Sequence, residues 1–287
     1  MNLLVIGGTG TVGSQVVQRL LTRGQRPRVL TRSRDKLKGL PTNVYGVVGD
    51  SAHPETLPAA MQGIERLVLI TALSESEAQE GRAVLAAART AGVKRVVFLS
   101  VHDVEKCPEA PHFRSKIEIQ QALEASGLEW TTVMPNNFFQ NDLGLRQALL
   151  EYGVYAQPLG SVGLSRVDVR DIADAIAVAA MDDGHAGQRY ALVGPEVLDG
   201  PQTAAIWSRV LGREVRYGGD DLEAWAAQVR AFMPAWLIED LKLMYAFFQR
   251  EGLRASAEDL ARQALVLAHP PRRFEDFARE TAAAWKS

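Results

Sequence analysis

The stretch Leu3-Leu4-Val5-Ile6-Gly7-Gly8-Thr9-Gly10-Thr11-Val12-Gly13 limits what this chain can fold into more than any other. Four apolar residues read as a buried strand, a glycine-rich turn follows, and Ser14 to Arg23 reads as a helix. Strand, glycine turn and helix make the first unit of a dinucleotide-binding α/β fold. Gly7 permits the tight turn, Gly10 lets backbone approach a pyrophosphate, and Gly13 lets the helix pack on the strand. The helix N-terminus offers free N–H groups and a partial positive charge, so Thr9, Thr11 and Val12 join the three glycines as candidate phosphate-binding residues. The spacing is G-x-x-G-x-x-G rather than the commoner G-x-G-x-x-G, and its position between strand and helix is what gives it weight. A mononucleotide P-loop shares the spacing from Gly8 to Gly13. However, Gln15 follows Ser14, and the lysine that would reach the β- and γ-phosphates is missing.

The end of the second strand, Pro27 to Thr31, bears on cofactor choice. An NAD-binding fold places Asp or Glu there for the ribose 2′-OH. Here the segment runs Thr31-Arg32-Ser33-Arg34-Asp35-Lys36, with no acid at the strand end and bases around it. Arg32, supported by Lys36 or Arg34, suits a 2′-phosphate and therefore NADP(H). Val44 to Val48 reads as strand three, and Asp50 beyond it either meets the adenine or caps the helix from Pro54 to Met61. Strand four, Arg66 to Ile70, ends in Thr71-Ala72-Leu73, whose size leaves room for a cofactor. A helix from Glu75 to Gly92 precedes strand five, Lys94 to Ser100, and Ser100 closes that strand at the same end of the sheet. Strands alternating with helices at this rhythm predict a doubly wound parallel sheet with right-handed crossovers.

The helix from His112 to Ser126 carries His112 and Lys116 on one face. Strand six, Trp130 to Met134, runs into Pro135-Asn136-Asn137-Phe138-Phe139. Asn136 and Asn137 are candidates for a carboxamide, and Phe138 for covering a flat ring. Val154 to Pro158 reads as a short strand, Val167 to Met181 as a helix start and helix, and Arg189 to Val193 as the last strand. Beyond it the chain turns helical and aromatic, with Trp207, Trp225, Trp236 and Trp285, and reads as a small, mainly helical C-terminal cap domain. Within it, the Pro-interrupted joint from Phe232 to Trp236 is expected to be exposed.

A net charge of −2 gives no footprint for nucleic acid. No apolar run approaches the ~20 residues of a membrane span. The single cysteine, Cys107, excludes an internal disulfide and reads as an incidental thiol in a polar, proline-flanked loop. With strand one at the very N-terminus, the expected location is the cytoplasm. No metal-ligand spacing and no G-x-S-x-G elbow occur.

Gly7 to Gly13, Thr31-Arg32-Ser33, Val48-Gly49-Asp50 and His112-Phe113-x-x-Lys116 together resemble the NmrA-like, atypical short-chain dehydrogenase/reductase group. So do Pro135 to Asn141, Asp168-Val169-Arg170-Asp171-Ile172-Ala173 and Tyr190 to Pro195. The resemblance implies a Rossmann NADP(H)-binding domain over 1–195 and a substrate domain over 196–287, with the cleft between them. A contribution of residues 140–165 to the cap is left open. It further implies either a reductase of quinones, dyes or phenylpropanoids, or a non-catalytic NADP(H) sensor that regulates a partner protein. Ordinary short-chain reductases carry Tyr-x-x-x-Lys on the catalytic helix, and this chain has His112-x-x-x-Lys116. Lys116 is then expected to hold the nicotinamide ribose. The proton comes from His112, whose imidazole has an ordinary pKa of about 6.5, or from water; a solvent-facing His112 at the helix start is the plain alternative. The leading expectation is an NADPH-dependent reductase of a small aromatic or quinone-like acceptor, with a homodimer left open.

Overall fold

The computed structural model describes residues 2–286. Strand β1 (Leu3–Ile6) is buried along its whole length, as expected of a strand with layers on both faces. It pairs in parallel with β2 (Arg28–Thr31) on one side and β4 (Arg66–Leu69) on the other. With β3 (Tyr45–Val48), β5 (Arg95–Leu99), β6 (Glu129–Pro135) and β8 (Gln188–Leu192), the seven-stranded order is β3-β2-β1-β4-β5-β6-β8, parallel throughout. The order reverses beside β1, which opens a crevice at the carboxyl ends of the strands.

One face of the sheet is covered by α1 (Thr11–Thr22) and α6 (Val169–Met181), joined through Val12, Val16, Leu20, Ile172 and Ile176. The other is covered by α3 (Leu57–Met61), α4 (Glu77–Thr90) and α5 (Pro111–Glu124), through Met61, Leu85, Ile119 and Leu123. Helix α2 (Arg34–Lys38) is a short helix after β2, capped by Ser33.

A third core lies beyond the carboxyl edge, where two stretches of chain close over Val104, Cys107, Ala110 and Phe113. From the first come Phe139, Leu149 and Tyr155. From the second come Trp207 on α7 (Gly200–Leu211), Trp225 on α8 (Leu222–Val229), Phe247 and Phe248 on α9 (Ala235–Glu251), and Phe274 and Phe277 on α11 (Phe274–Lys286). The two stretches are tied by a two-stranded parallel sheet, β7 (Val154–Tyr155) with β9 (Arg216–Tyr217). Strand β9 is absent from the sequence reading because two residues carry no periodicity to detect. Helix α10 (Ala257–Gln263) leaves this core and lies along β8, where Gln263 accepts from the Val193 N–H and Arg262 donates to the Arg189 carbonyl. It thereby covers the open edge of the sheet.

Inside the third core, Asp142 and Arg166 form a fully buried ion pair at 2.7 Å. Tyr155, Gln157 and Trp207 also donate to Asp142, so the carboxylate is fully satisfied. For Cys107 only the surroundings differ from expectation. Its loop is roofed by this core, the thiol is buried beside Val104, Ala110 and Phe113, and burial pushes its pKa up to about 11. It stays a neutral thiol, without the thiolate character a nucleophile needs. The Phe232 joint between α8 and α9 is exposed as the proline implied, with Phe232 at 87%. Among the described residues no helix is long and apolar enough to cross a membrane.

Candidate active site

A cleft of about 660 Å³ opens at the strand-order reversal. Its floor is the glycine turn. Gly7 sits at φ +81°, and a Cβ there would lie 2.4 Å from the Ile70 carbonyl oxygen. A Cβ on Gly13 would lie 2.1 Å from the Gly7 oxygen. Both positions therefore admit only glycine. At Gly10 a Cβ would meet only the Gly7 oxygen, at 3.3 Å, so that glycine leaves its space open to the cleft. Gly10 is also the N-cap of α1 and offers no side chain to its first turn. The N–H groups of Thr11, Val12 and Gly13 thus have no partner within the helix and border the cleft. A backbone cradle at a helix N-terminus, without a competing cap, fits a pyrophosphate.

Arg32, Ser33 and Lys36 line the cleft beyond β2. Ser33 accepts from the Lys36 N–H and so fixes the turn. The Arg32 guanidinium has no hydrogen-bond or ion-pair partner among the described residues. Opposite, Ser51, Ser74 and Ser76 all donate to Glu80. Burial works against the Glu80 charge, but these hydrogen bonds and the nearby Arg32 hold its pKa below the usual carboxylate range. Asp50 borders the same end and accepts from the Ala52 N–H. It does not cap the helical turn at Pro54–Thr56, whose N-cap is His53, so the capping alternative falls away.

The other end is built by β4, β5, α4 and α5, with Thr71, Ala72, Leu73, Ser100 and Phe138 in its walls. Lys116 and His112 stand here together. The Lys116 ammonium donates to Thr71 Oγ1 at 2.6 Å, pairs with Glu77 Oε1 at 2.8 Å, and approaches the Leu99 carbonyl at 3.4 Å. Its three protons are thereby committed, the last most weakly. Glu77 is itself buried, taking Thr71 on one oxygen and Ser115 on the other. His112 is not a solvent-facing residue at the helix start. Its Nδ1 lies 2.6 Å from Asp240 of α9, and its backbone N–H donates to the other oxygen of that carboxylate.

Three expected residues are not in the walls of the cleft. Pro135 is buried as the last residue of β6. Asn136 is buried behind the wall, where its Nδ2 donates to the Leu253 carbonyl and contacts His102 Nδ1. Asn137 accepts from Arg166, which also holds the Phe138 carbonyl. Of this segment only Phe138 reaches the cleft, because the two asparagines tie β6 to the third core. Conversely, the sequence reading passed over Glu77, Glu80 and Asp240. For Asp240 a signal exists: an acid four residues from both Trp236 and Met244 sits on the apolar face of its helix.

A model of the NmrA-like family matches residues 1–278. The NAD(P)H azoreductase of Xenophilus azovorans is 37% identical over 290 residues, covering 99% of each chain. The (4-alkanoyl-5-oxo-2,5-dihydrofuran-3-yl)methyl phosphate reductase of Streptomyces griseus is 35% identical over 286 residues, again covering 99% of each. Among solved structures, the NADPH-dependent quinone oxidoreductase of Escherichia coli complexed with NADPH superposes with a TM-score of 0.87. It has 24% identity, with 99% of this chain and 100% of the other covered, a likeness of fold. Glycine cradle, sheet order and full-length identity agree, and this chain belongs to the NmrA-like family.

Proposed function

We propose that the protein is an NADPH-dependent reductase of small, flat, conjugated acceptors such as quinones and azo compounds. The observation that carries this reading is a single cleft with a phosphate cradle and an unpaired Arg32 at one end, and His112 and Lys116 at the other. When bound, NADPH supplies a hydride. The N–H groups of Thr11, Val12 and Gly13 hold its pyrophosphate, and Arg32 with Lys36 takes the 2′-phosphate. Lys116 holds the nicotinamide ribose by exchanging its weak contact with the Leu99 carbonyl for a ribose hydroxyl. Phe138, Leu73 and Val101 give the acceptor an apolar seat and exclude water. His112 supplies the proton.

The relatives support the acceptor class, since one is an azoreductase at 37% identity over the whole chain. A non-catalytic sensor would need no titratable side chains at the hydride end, and two stand there. The test is the loss of NADPH absorbance against a panel of quinones and azo dyes, alongside calorimetric NADPH binding. Turnover with NADPH, and slower turnover with NADH, is expected. Tight NADPH binding without turnover on any acceptor would overturn the reductase reading in favour of the sensor.

A further inference from the structure

Asp240 reaches α5 from a distant helix and uses both carboxylate oxygens on one residue. Oδ1 lies 2.6 Å from His112 Nδ1, and Oδ2 accepts the His112 backbone N–H at 3.1 Å. The N-cap of α5 is Ala110, which has no side chain to offer, so Asp240 satisfies the free amide from outside. A carboxylate oxygen only accepts, so Nδ1 carries the proton of the shorter bond. The ring is thereby fixed, with Nε2 on its far edge. Nε2 has no hydrogen-bond partner among the described residues, and the ring borders the cleft. The charged groups around the ring are Asp240 of α9 and, one turn along α5, Lys116, which is itself paired with Glu77 of α4.

We infer that Asp240 is a positioning residue for proton delivery, and that the site is built for acceptors that need a proton along with the hydride. This rests on the reductase reading above. In such acceptors the hydride brings both electrons and forms one new bond to hydrogen. The acceptor's π bond breaks onto oxygen or nitrogen, and that atom takes the proton from Nε2–H of the charged ring. NADP⁺ and the reduced acceptor are the products. The ring then regains its Nε2 proton from solvent, while Nδ1–H stays on Asp240. Quinones and azo compounds follow this balance. A cationic triarylmethane dye does not, because hydride alone neutralises it.

The dye therefore separates proton delivery from everything else in the cycle. In single turnovers at saturating NADPH, Asp240→Asn and His112→Gln should each lower the ratio of quinone rate to dye rate by about tenfold or more. Asn has one acceptor for the two donors, so it releases the ring while keeping the bulk. A merely structural cap would slow both acceptors equally and leave the ratio unchanged, which would overturn the proposal. The second readout needs no turnover. In the [15N]histidine-labelled protein, a downfield, exchange-protected Nδ1–H resonance should be absent in His112→Gln and lost in Asp240→Asn. Its absence from the wild type, or its survival in Asp240→Asn, would overturn the positioning role. If the wild type reduces neither acceptor, the reductase reading falls, and this resonance alone decides whether Asp240 fixes the ring.

Discussion

The Glu77–Lys116 pair in the wall of the cleft is open to a quantitative test through Glu77. Its side chain is 1% exposed and that of its partner Lys116 12%. Glu77→Ala removes the counter-charge and the acceptor for Thr71 and Ser115. Breaking a buried pair costs about 3–5 kcal/mol. Lys116 borders the cleft and can regain water, so the loss should sit near 3 kcal/mol. Glu77→Gln keeps the shape and an acceptor for Thr71, and its amide can donate to the Ser115 oxygen while Ser115 donates to the His112 carbonyl. It too removes the counter-charge, but it leaves an amide oxygen on the ammonium and a partner for Thr71 and Ser115. The loss should therefore stay near the difference between a carboxylate's and an amide's hydrogen bond, about 1–1.5 kcal/mol. In a chain of this size each kcal/mol moves Tm by about 2 °C. The expected losses are therefore about 2–3 °C for Gln and 6 °C or more for Ala. Urea unfolding of both variants, with Lys116→Ala and the double variant, completes a cycle. Coupling above about 1.5 kcal/mol is expected. Additive losses in the cycle would show that Glu77 does not act by holding the ammonium, and equal losses for Gln and Ala would show that its charge alone, and not its shape and hydrogen bonds, carries the effect.

Three further outcomes concern the cofactor end. Arg32→Ala should weaken NADPH by about tenfold in Kd, the lower end of a charged hydrogen bond because the side chain is exposed, and NADH much less; equal losses in calorimetry would remove Arg32 from the 2′-phosphate. Gly10→Ala should unfold within about 1 kcal/mol of the wild type yet lose NADPH affinity, since its φ of −88° suits any residue and only one atom lies near the new Cβ. Gly13→Ala should lose about 3 kcal/mol of stability or more, because its Cβ meets only backbone that cannot yield. Full NADPH affinity in Gly10→Ala would place the pyrophosphate elsewhere.

The sheet and its helices were legible because each element announces itself locally. Apolar runs mark β1, β4 and β5, and Gly24, Gly92 and Gly127 take the positive φ that ends a helix. The cofactor half of the cleft was legible for the same reason. The part that was read is made of backbone and of side chains at strand ends, within the first 73 residues, whereas Glu80, on α4, was passed over. The segment from Pro135 to Phe138 marks the limit. Sequence places it at a strand end and so in the crevice. Which side chains turn inward there is decided by partners far along the chain, Leu253 and Arg166, and these take the two asparagines away.

Glu77 and Asp240 escaped for a different reason. An acid in the first turn of a helix, as Glu77 is in α4, already has a sufficient local role against the helix dipole. Nothing in its neighbourhood asks for a lysine 39 positions away, and only the parallel sheet brings α4 and α5 side by side. Asp240 does announce a conflict, since an acid on an apolar helix face must find a partner or cost several kcal/mol. The conflict shows that a partner exists but does not identify it. The partner follows from a second vacancy, the α5 N-terminus whose own cap residue is Ala110. An unpaired buried acceptor and an uncapped helix start are each unfavourable alone, and each relieves the other. Pairing such vacancies, rather than matching motifs, is the step that would have led from this sequence to the acceptor half of the cleft.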